Sequence, residues 1–263
     1  MSRRRFLAAS AAAAGLAPFG RAATARAAPV EPVPGLSIQP RAAWAGDLAP
    51  TGPIGTDELR FLLVHHTASS NSYEAAGVAG ILRGIYRFHT GSEKGWPDVC
   101  YHFFVDRYGG VWEGRAGSLG GAVAADATGG NQGYAQLACL VGDFTAAAPP
   151  PPMVDSLVRL LAWSAGRWNI DTTPGASVTF TSRGSNRWPA GAIVTTSTIA
   201  GHRDMTYTAC PGDRVYDMVR GDLPARVHDA VGAGASVLTG DVSRWPGPPV
   251  EALPRRSRWV TAQ

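Results

Sequence analysis

The chain has 263 residues, of which 45% are hydrophobic, so it is long and apolar enough to bury a full core and is not an intrinsically disordered polymer. Its formal net charge is +4, but the first 28 residues contain five arginines (Arg3, Arg4, Arg5, Arg21 and Arg26) and no acid, so without those five the charge is −1. No basic patch interleaved with aromatic residues remains, and this excludes nucleic acid as an expected partner.

The N-terminus is typical of a secretory signal. An arginine-rich start precedes an alanine-rich apolar run over residues 8–17, and Ala25-Arg26-Ala27 fits an A-x-A cleavage site. The order Ser-Arg-Arg-x-Phe-Leu from Ser2 resembles a twin-arginine signal; an ordinary signal or a retained anchor is the alternative. We predict a signal peptide over residues 1–28 and export to the cell wall or medium. No later run reaches the roughly 18 apolar residues of a membrane helix, so no membrane attachment is expected once the signal is removed.

The rest of the chain predicts one α/β domain with a mixed central sheet flanked by about three helices. Residues 29–36 are expected to be a proline-rich linker, 37–232 the domain, and 233–263 a proline-containing tail. The predicted strands are 59–67, 99–106, 111–114, 137–141, 178–181 and 193–199. The predicted helices are 73–89, 153–168 and 211–231, and residues 182–191 are expected to be a loop. Alternating strands and helices of this kind are typical of a sheet covered by helices.

Two segments carry residue types that bind zinc. His202 and Cys210 are eight positions apart around a predicted turn, and an imidazole with a thiolate favours Zn²⁺ over Mg²⁺ or Ca²⁺. A catalytic zinc ion usually has three protein ligands, and the predicted strand 59–67 delivers His65 as the third. The next residue, His66, points to the opposite side of the strand and is expected to be structural or to support a ligand. The alternatives are a structural histidine at the end of a buried strand for His65 and an inert buried thiol for Cys210.

The cysteines carry two further predictions. Pro211 suits the first position of a helix, so Cys210 is expected at a helix N-terminus, where the dipole lowers the pKa of a thiol. Cys100 and Cys139 lie in apolar segments; a disulfide and two separate buried thiols are equally compatible with an exported protein.

The segment after His202 also matches another motif. His202-Arg203-Asp204 is the triplet of a kinase catalytic loop, but the other kinase motifs are missing, so the match is interpreted as accidental. A local ion pair between Arg203 and Asp204 is the simpler expectation.

Four motifs stand in one order along the chain: His65-His66-Thr67, Asp98 through Phe103, Glu113-Gly114-Arg115, and Gly201 through Gly212. Together they resemble the peptidoglycan recognition protein family and the related phage-type zinc amidases, which hydrolyse the bond between N-acetylmuramic acid and L-alanine. The resemblance covers roughly residues 38–231. It implies an α/β amidase fold, one zinc ion per chain held by His65, His202 and Cys210, and a peptidoglycan or muropeptide substrate; we expect a monomer.

The resemblance also implies roles for individual residues. Tyr101 and Thr208 are the candidate catalytic residues; an ordinary strand aromatic and a turn hydroxyl bonded to the backbone are the alternatives. The candidate substrate-binding residues are His89, Trp96, His102 and Arg115. Alternation places His102 on the face opposite Tyr101, and Arg115 is expected either to bind a peptide carboxylate or to pair with an acid.

Three functions require different residues, and the sequence distinguishes them. A zinc amidase requires the ligands and Tyr101, all of which the chain retains, whereas a muropeptide-binding protein without catalysis is the alternative. A glycosidase requires paired carboxylates at a cleft, and neither Glu113 nor Asp126 has an evident partner in the sequence. The retained residues favour a secreted N-acetylmuramoyl-L-alanine amidase.

Overall fold

A seven-stranded mixed sheet forms the centre of the protein in the computed structural model, which describes residues 27–129 and 134–235. The predicted signal, apart from its last two residues, and residues 236–263 of the predicted tail lie outside the described residues. The strands of this sheet are β1 (Val30–Val33), β2 (Leu36–Gln39), β3 (Phe61–His66), β4 (Phe103–Val105), β5 (Val111–Glu113), β6 (Ala135–Leu140) and β9 (Ile199–Gly201). Their order is β1-β2-β5-β4-β6-β3-β9, with β3 parallel to both β6 and β9 and β4 antiparallel to β5. The predicted mixed α/β architecture is confirmed.

Two strands form a separate hairpin, β7 (Ser177–Thr181) with β8 (Ile193–Ser197). The helices are α1 (Ala42–Ala45), α2 (Val78–Thr90), α3 (Pro151–Trp168), α4 (His202–Met205), α5 (Asp213–Arg220) and α6 (Leu223–Ala235). No helix within the described part of the chain is both long and apolar enough to cross a membrane.

The central strand β3 divides the core into layers. All six of its residues are buried, as expected for a parallel strand covered on both faces. Because side chains alternate, Leu62 and Val64 pack into the layer that contains α3, α5 and α6, while Phe61 and Leu63 pack on the other face with the β7–β8 hairpin. Helix α2 covers the same face as the hairpin, next to β4 and β5. His65 therefore points to the face that α2 and the hairpin share.

The predicted linker 29–36 is wrong. Val30–Val33 pairs antiparallel with β2 at the edge of the sheet, and Val30 and Val33 pack against the core. Proline is tolerated on an edge strand because the missing N–H faces solvent, so Pro32 does not prevent the pairing.

The prediction of one last helix over 211–231 is also wrong. The chain forms α5 and α6, with a break at Gly221, and Pro224 lies in the first turn of α6, where its missing N–H is tolerated. The predicted stop at residues 232–234 lies inside α6. The predicted strand 193–199 is likewise divided, since β8 belongs to the hairpin and β9 to the central sheet.

Candidate metal centre

Strand pairing brings two of the predicted ligands together. β3 and β9 run parallel with Val64 opposite Gly201. The residues that follow this pair, His65 and His202, therefore lie at the same end of the sheet. Their ring centroids are 4.3 Å apart. The turn after α4 returns Cys210 to this point, and its Sγ lies 3.6 Å from Nδ1 of His65. One ligand atom from each of the three residues lies within 4.8 Å of the others.

The chemistry of these three side chains fits a metal ion. Nδ1 of His202 and Nε2 of His65 are buried and have no hydrogen-bond partner among residues 27–129 and 134–235. Burial lowers the pKa of His202 to about 4 and that of His65 well below its ordinary value, so both imidazoles are neutral near pH 7, the form that binds metals. Two imidazoles and one thiol form a donor set typical of zinc, with room for a fourth ligand in a tetrahedral site.

The environment of Cys210 differs from the prediction. α5 begins at Asp213, so Cys210 lies before the helix and not at its first turn. Burial raises the pKa of the Cys210 thiol to about 12. The prediction that a helix N-terminus lowers this pKa is therefore wrong. The backbone N–H of His66 donates to Sγ at 3.4 Å and would favour a thiolate. A buried thiolate without a nearby cation is costly, so a bound cation would be the main source of its stabilisation.

The side chain of His66 contacts residues 143 and 144, in agreement with the structural role predicted for it. Its Nδ1 accepts a hydrogen bond from the backbone N–H of Phe144 at 3.3 Å and lies 3.9 Å from the carboxylate of Asp143.

The one-turn helix α4 is held at its N-terminal end by Asp204. One carboxylate oxygen accepts the N–H of Gly201 at 2.9 Å and the other accepts the hydroxyl of Tyr216 at 2.7 Å. Arg203 pairs with Asp213 at 2.9 Å and also donates to the carbonyl of Ala209. The expected ion pair between Arg203 and Asp204 is therefore not formed.

A row of aromatic rings extends from the candidate ligands towards α2. The ring of Tyr101 lies 5.1 Å from that of His65 and 5.6 Å from that of His89, which in turn lies 5.0 Å from the ring of Trp96. Tyr101 precedes β4 and does not lie on a strand as predicted. Burial raises the pKa of its phenol well above the ordinary value, so Tyr101 remains a hydrogen-bond donor at neutral pH.

The two remaining cysteines are free, buried thiols, so the disulfide alternative is not formed in this structure. The backbone N–H of Cys100 donates to Nδ1 of His89 at 3.2 Å, and this bond fixes the imidazole in the aromatic row. Burial lowers the pKa of His89 to about 4, which keeps the ring neutral.

Thr208 is exposed, and its hydroxyl oxygen accepts the N–H of Cys210 at 3.2 Å. This contact matches the alternative of a turn hydroxyl bonded to the backbone, and it also places Thr208 next to the candidate ligand Cys210.

His102 and Arg115 are buried away from solvent. Nε2 of His102 is 2.8 Å from the carbonyl of Val123, and its Nδ1 accepts the N–H of Leu137 at 2.9 Å. The guanidinium of Arg115 lies 2.5 Å from the carboxylate of Asp126, which is the acid-pair alternative.

Glu113, the other carboxylate considered for a glycosidase, accepts backbone N–H groups of Arg41 and Leu119. Glu113 and Asp126 therefore have separate partners, and neither contact is the carboxylate pair that a glycosidase requires.

The loop between β7 and β8 is not among the predicted site residues. In the structure, residues 185–188 of this loop bind the backbone that follows His202. The only sequence signal was the run of polar and aromatic residues from Ser185 to Trp188, which is equally typical of an ordinary surface loop.

The fold and the site define an α/β domain in which two histidines and a cysteine that could hold a metal ion lie beside a tyrosine. The sequence model described as N-acetylmuramoyl-L-alanine amidase matches residues 55–213, more than half of the chain, and the chain belongs to this family. Similar proteins include peptidoglycan-recognition protein SC1a of Drosophila melanogaster, 27% identical over 188 residues that cover 71% of this chain and 86% of that protein. The N-acetylmuramoyl-L-alanine amidase of Homo sapiens is 29% identical over 187 residues, 70% of this chain and 28% of the human protein.

Solved structures share the fold. Drosophila peptidoglycan recognition protein SD superposes with a TM-score of 0.53 at 18% identity, over 83% of this chain and 99% of that chain. A complex of tracheal cytotoxin with the ectodomains of peptidoglycan recognition proteins LCa and LCx gives a TM-score of 0.54 at 20% identity, over 70% of this chain and 95% of that chain.

Proposed function

We propose that this protein is a secreted, zinc-dependent amidase that hydrolyses the bond between N-acetylmuramic acid and L-alanine in bacterial peptidoglycan. The observation that carries the proposal is the meeting of His65, His202 and Cys210 within 4.8 Å, beside the ring of Tyr101. The name of the human relative, an N-acetylmuramoyl-L-alanine amidase, supports the reaction. The tracheal cytotoxin bound in the complex of peptidoglycan recognition proteins LCa and LCx supports a muropeptide ligand.

His65, His202 and Cys210 would hold one zinc ion. When bound, zinc supplies a Lewis acid for the scissile carbonyl and lowers the pKa of a bound water to about 7. The phenol of Tyr101, protonated at neutral pH, would donate a hydrogen bond to the oxyanion that develops on the carbonyl. The Thr208 oxygen already accepts the N–H of Cys210, so its own hydroxyl hydrogen is directed elsewhere and would orient the attacking water or the intermediate.

The aromatic row provides the proposed wall for the peptide part of the substrate. His89 and Trp96 lie on the α2 side of Tyr101, and the bond from Cys100 fixes His89 there. We propose structural roles for His102 and Arg115, because both are buried and are bonded to backbone or acid within the protein.

The predicted signal over residues 1–28 supports export, and we propose the twin-arginine pathway and a monomeric mature protein. Export that continues after Arg3 and Arg4 are both replaced by Lys would refute the twin-arginine route. Gel filtration of the mature protein tests the monomer.

An assay of released groups tests the reaction. The purified protein is incubated with bacterial cell wall, and new L-alanine amino termini and new reducing ends are counted. An amidase releases the former alone, and a chelator should abolish the release until Zn²⁺ is restored. A protein that binds the wall and releases neither group would be the non-catalytic muropeptide-binding alternative. A Cys210→Ser protein that is folded, free of zinc and fully active would refute the mechanism.

A further inference from the structure

The one-turn helix α4 cannot satisfy its own carbonyl groups. A helix leaves its last four carbonyls without partners inside the helix, and α4 has only four residues. The first carbonyl, that of His202, accepts the N–H of Thr206 at 3.2 Å. The other three need partners from elsewhere in the protein.

The tip loop of the β7–β8 hairpin, residues 185–188, supplies all three partners. Ser185 Oγ donates to the carbonyl of Met205 at 2.9 Å. Trp188 Nε1 donates to that of Asp204 at 2.9 Å. A guanidinium nitrogen of Arg187 donates to the carbonyl of Arg203.

Asn186 extends the same contact past the end of α4. Its Oδ1 accepts the N–H of Tyr207 at 2.7 Å and the hydroxyl of Thr206, and its Nδ2 donates to the carbonyl of Tyr207 at 3.3 Å. These bonds fix the backbone of residues 206 and 207, immediately before Thr208. Thr208 in turn lies two residues before Cys210.

The tip loop is itself rigidly connected to the strand that carries His65. Ser185 Oγ accepts the N–H groups of Arg187 at 3.2 Å and Trp188 at 2.9 Å, which closes the loop into a compact turn. Near the loop end of β7, where Phe180 pairs with Val194, its ring stacks on Phe61 of β3 with ring centroids 5.5 Å apart and planes 8° from parallel. The hairpin thus braces the segment with His202 and Cys210 against the strand with His65.

We propose that residues 185–188 are positioning residues for the metal site, and that the hairpin holds the segment 202–210 in the geometry that binds zinc. The inference rests on the proposed zinc site but not on the identity of the substrate. Partners that orient metal ligands typically contribute 10–100-fold to metal affinity.

Two variants and one matched control test the proposal in the full-length protein. Asn186→Ala removes three hydrogen bonds at an exposed position, so the core is left intact, and Trp188→Phe removes the Nε1 donor but keeps an aromatic ring. The control is Thr195→Ala, which removes an exposed cross-strand hydrogen bond of 2.9 Å to Thr179 in the same hairpin without touching the tip.

Zinc affinity is measured by competition with a chromogenic chelator. We expect the dissociation constant to rise about 10-fold in each tip variant, and to stay at the wild-type value in Thr195→Ala. The second readout is the rate at which a thiol reagent modifies Cys210 in the metal-free protein. Cys100 and Cys139 are buried, and a Cys210→Ser variant shows which part of the signal belongs to Cys210. That rate should rise several-fold in the tip variants as the segment opens locally.

Zinc affinity and thiol reactivity that both stay at wild-type values in Asn186→Ala and Trp188→Phe would overturn the proposal. An equal loss in Thr195→Ala would also overturn it, because the effect would then belong to hairpin stability in general. Neither measurement needs a substrate. A wild-type protein that binds zinc but releases no L-alanine termini would therefore refute the proposed amidase and leave this inference standing.

Discussion

Replacing Tyr101 by phenylalanine separates its proposed catalytic role from packing. The substitution removes only the hydroxyl, and the ring keeps its contacts with His65 at 5.1 Å, His89 at 5.6 Å and Phe104 at 5.5 Å. We expect kcat to fall about 10²–10³-fold, equivalent to about 2.7–4 kcal/mol of transition-state stabilisation, as for the loss of one oxyanion donor. Zinc affinity should be unchanged, because the hydroxyl is not one of the three ligand groups.

The assay for this variant counts L-alanine termini released from cell wall at saturating substrate, with thermal unfolding as the check on folding. Tyr73→Phe is the matched control. The Tyr73 hydroxyl donates to the carbonyl of Val141 at 3.0 Å and accepts the backbone N–H of Arg107 at 2.7 Å, so its loss should cost about 1–3 kcal/mol of stability and leave kcat unchanged.

The pH profile gives a second readout of the same residue. Because burial raises the pKa of Tyr101, deprotonation of this phenol should not limit the wild-type rate at any pH below 10. A folded, zinc-loaded Tyr101→Phe protein with the wild-type kcat would refute the donor role.

Three further predictions concern stability. Burial lowers the pKa of His102 to about 4, against 6.5 in the unfolded state, so the unfolded state takes up this proton first. The contribution of His102 to the free energy of unfolding should be full above pH 6.5 and fall by about 3 kcal/mol towards pH 4. Denaturant titrations in which His102→Asn shows the same pH-dependent loss as the wild type would contradict this. Arg115→Met removes the cation beside the buried Asp126 and should lower the free energy of unfolding by about 3–5 kcal/mol. The double variant Arg115→Met/Asp126→Leu should recover most of this loss. Equal stabilities of the single and double variants would argue against a buried ion pair. Phe180→Ala removes the ring stacked on Phe61 and should lower the free energy of unfolding, measured by heat or denaturant, by about 3–5 kcal/mol. A loss below about 1 kcal/mol would mean that the contact between Phe180 and Phe61 does not anchor the hairpin.

Much of the central sheet could be predicted because its strands are continuous apolar runs. β3 lies within the predicted strand 59–67. Its continuous apolar run, which leads to two histidines, is typical of a parallel strand buried on both faces. α3 was predicted from helical periodicity, and the structure extends it by two residues to Pro151. β1 could not be predicted because Pro32 within it and Pro29 and Pro34 beside it are more typical of a linker, and only pairing with β2 makes this segment part of a sheet.

Electrostatic and side-chain effects at the site could not be predicted in the same way. Proline after Cys210 indicated a helix start, but Gly212 intervenes before α5, and the pKa of Cys210 follows from burial by distant segments. The tip loop was missed for a related reason, since side-chain bonds from Asn186 to a backbone segment have no periodic pattern in the sequence.

The proposed metal site depends on strand pairing between remote parts of the chain. Cys210 and His65 are 145 positions apart, and the parallel register of β3 with β9 brings His202 beside His65. β9 has only three residues and lies at the edge of the sheet, so the pairing alone is a weak support for a site that needs fixed ligand positions. Asp204 holds the start of α4, and the tip loop holds its end. The site therefore derives its rigidity from contacts around the short strand, and these contacts are where we expect substitutions outside the ligands to weaken zinc binding.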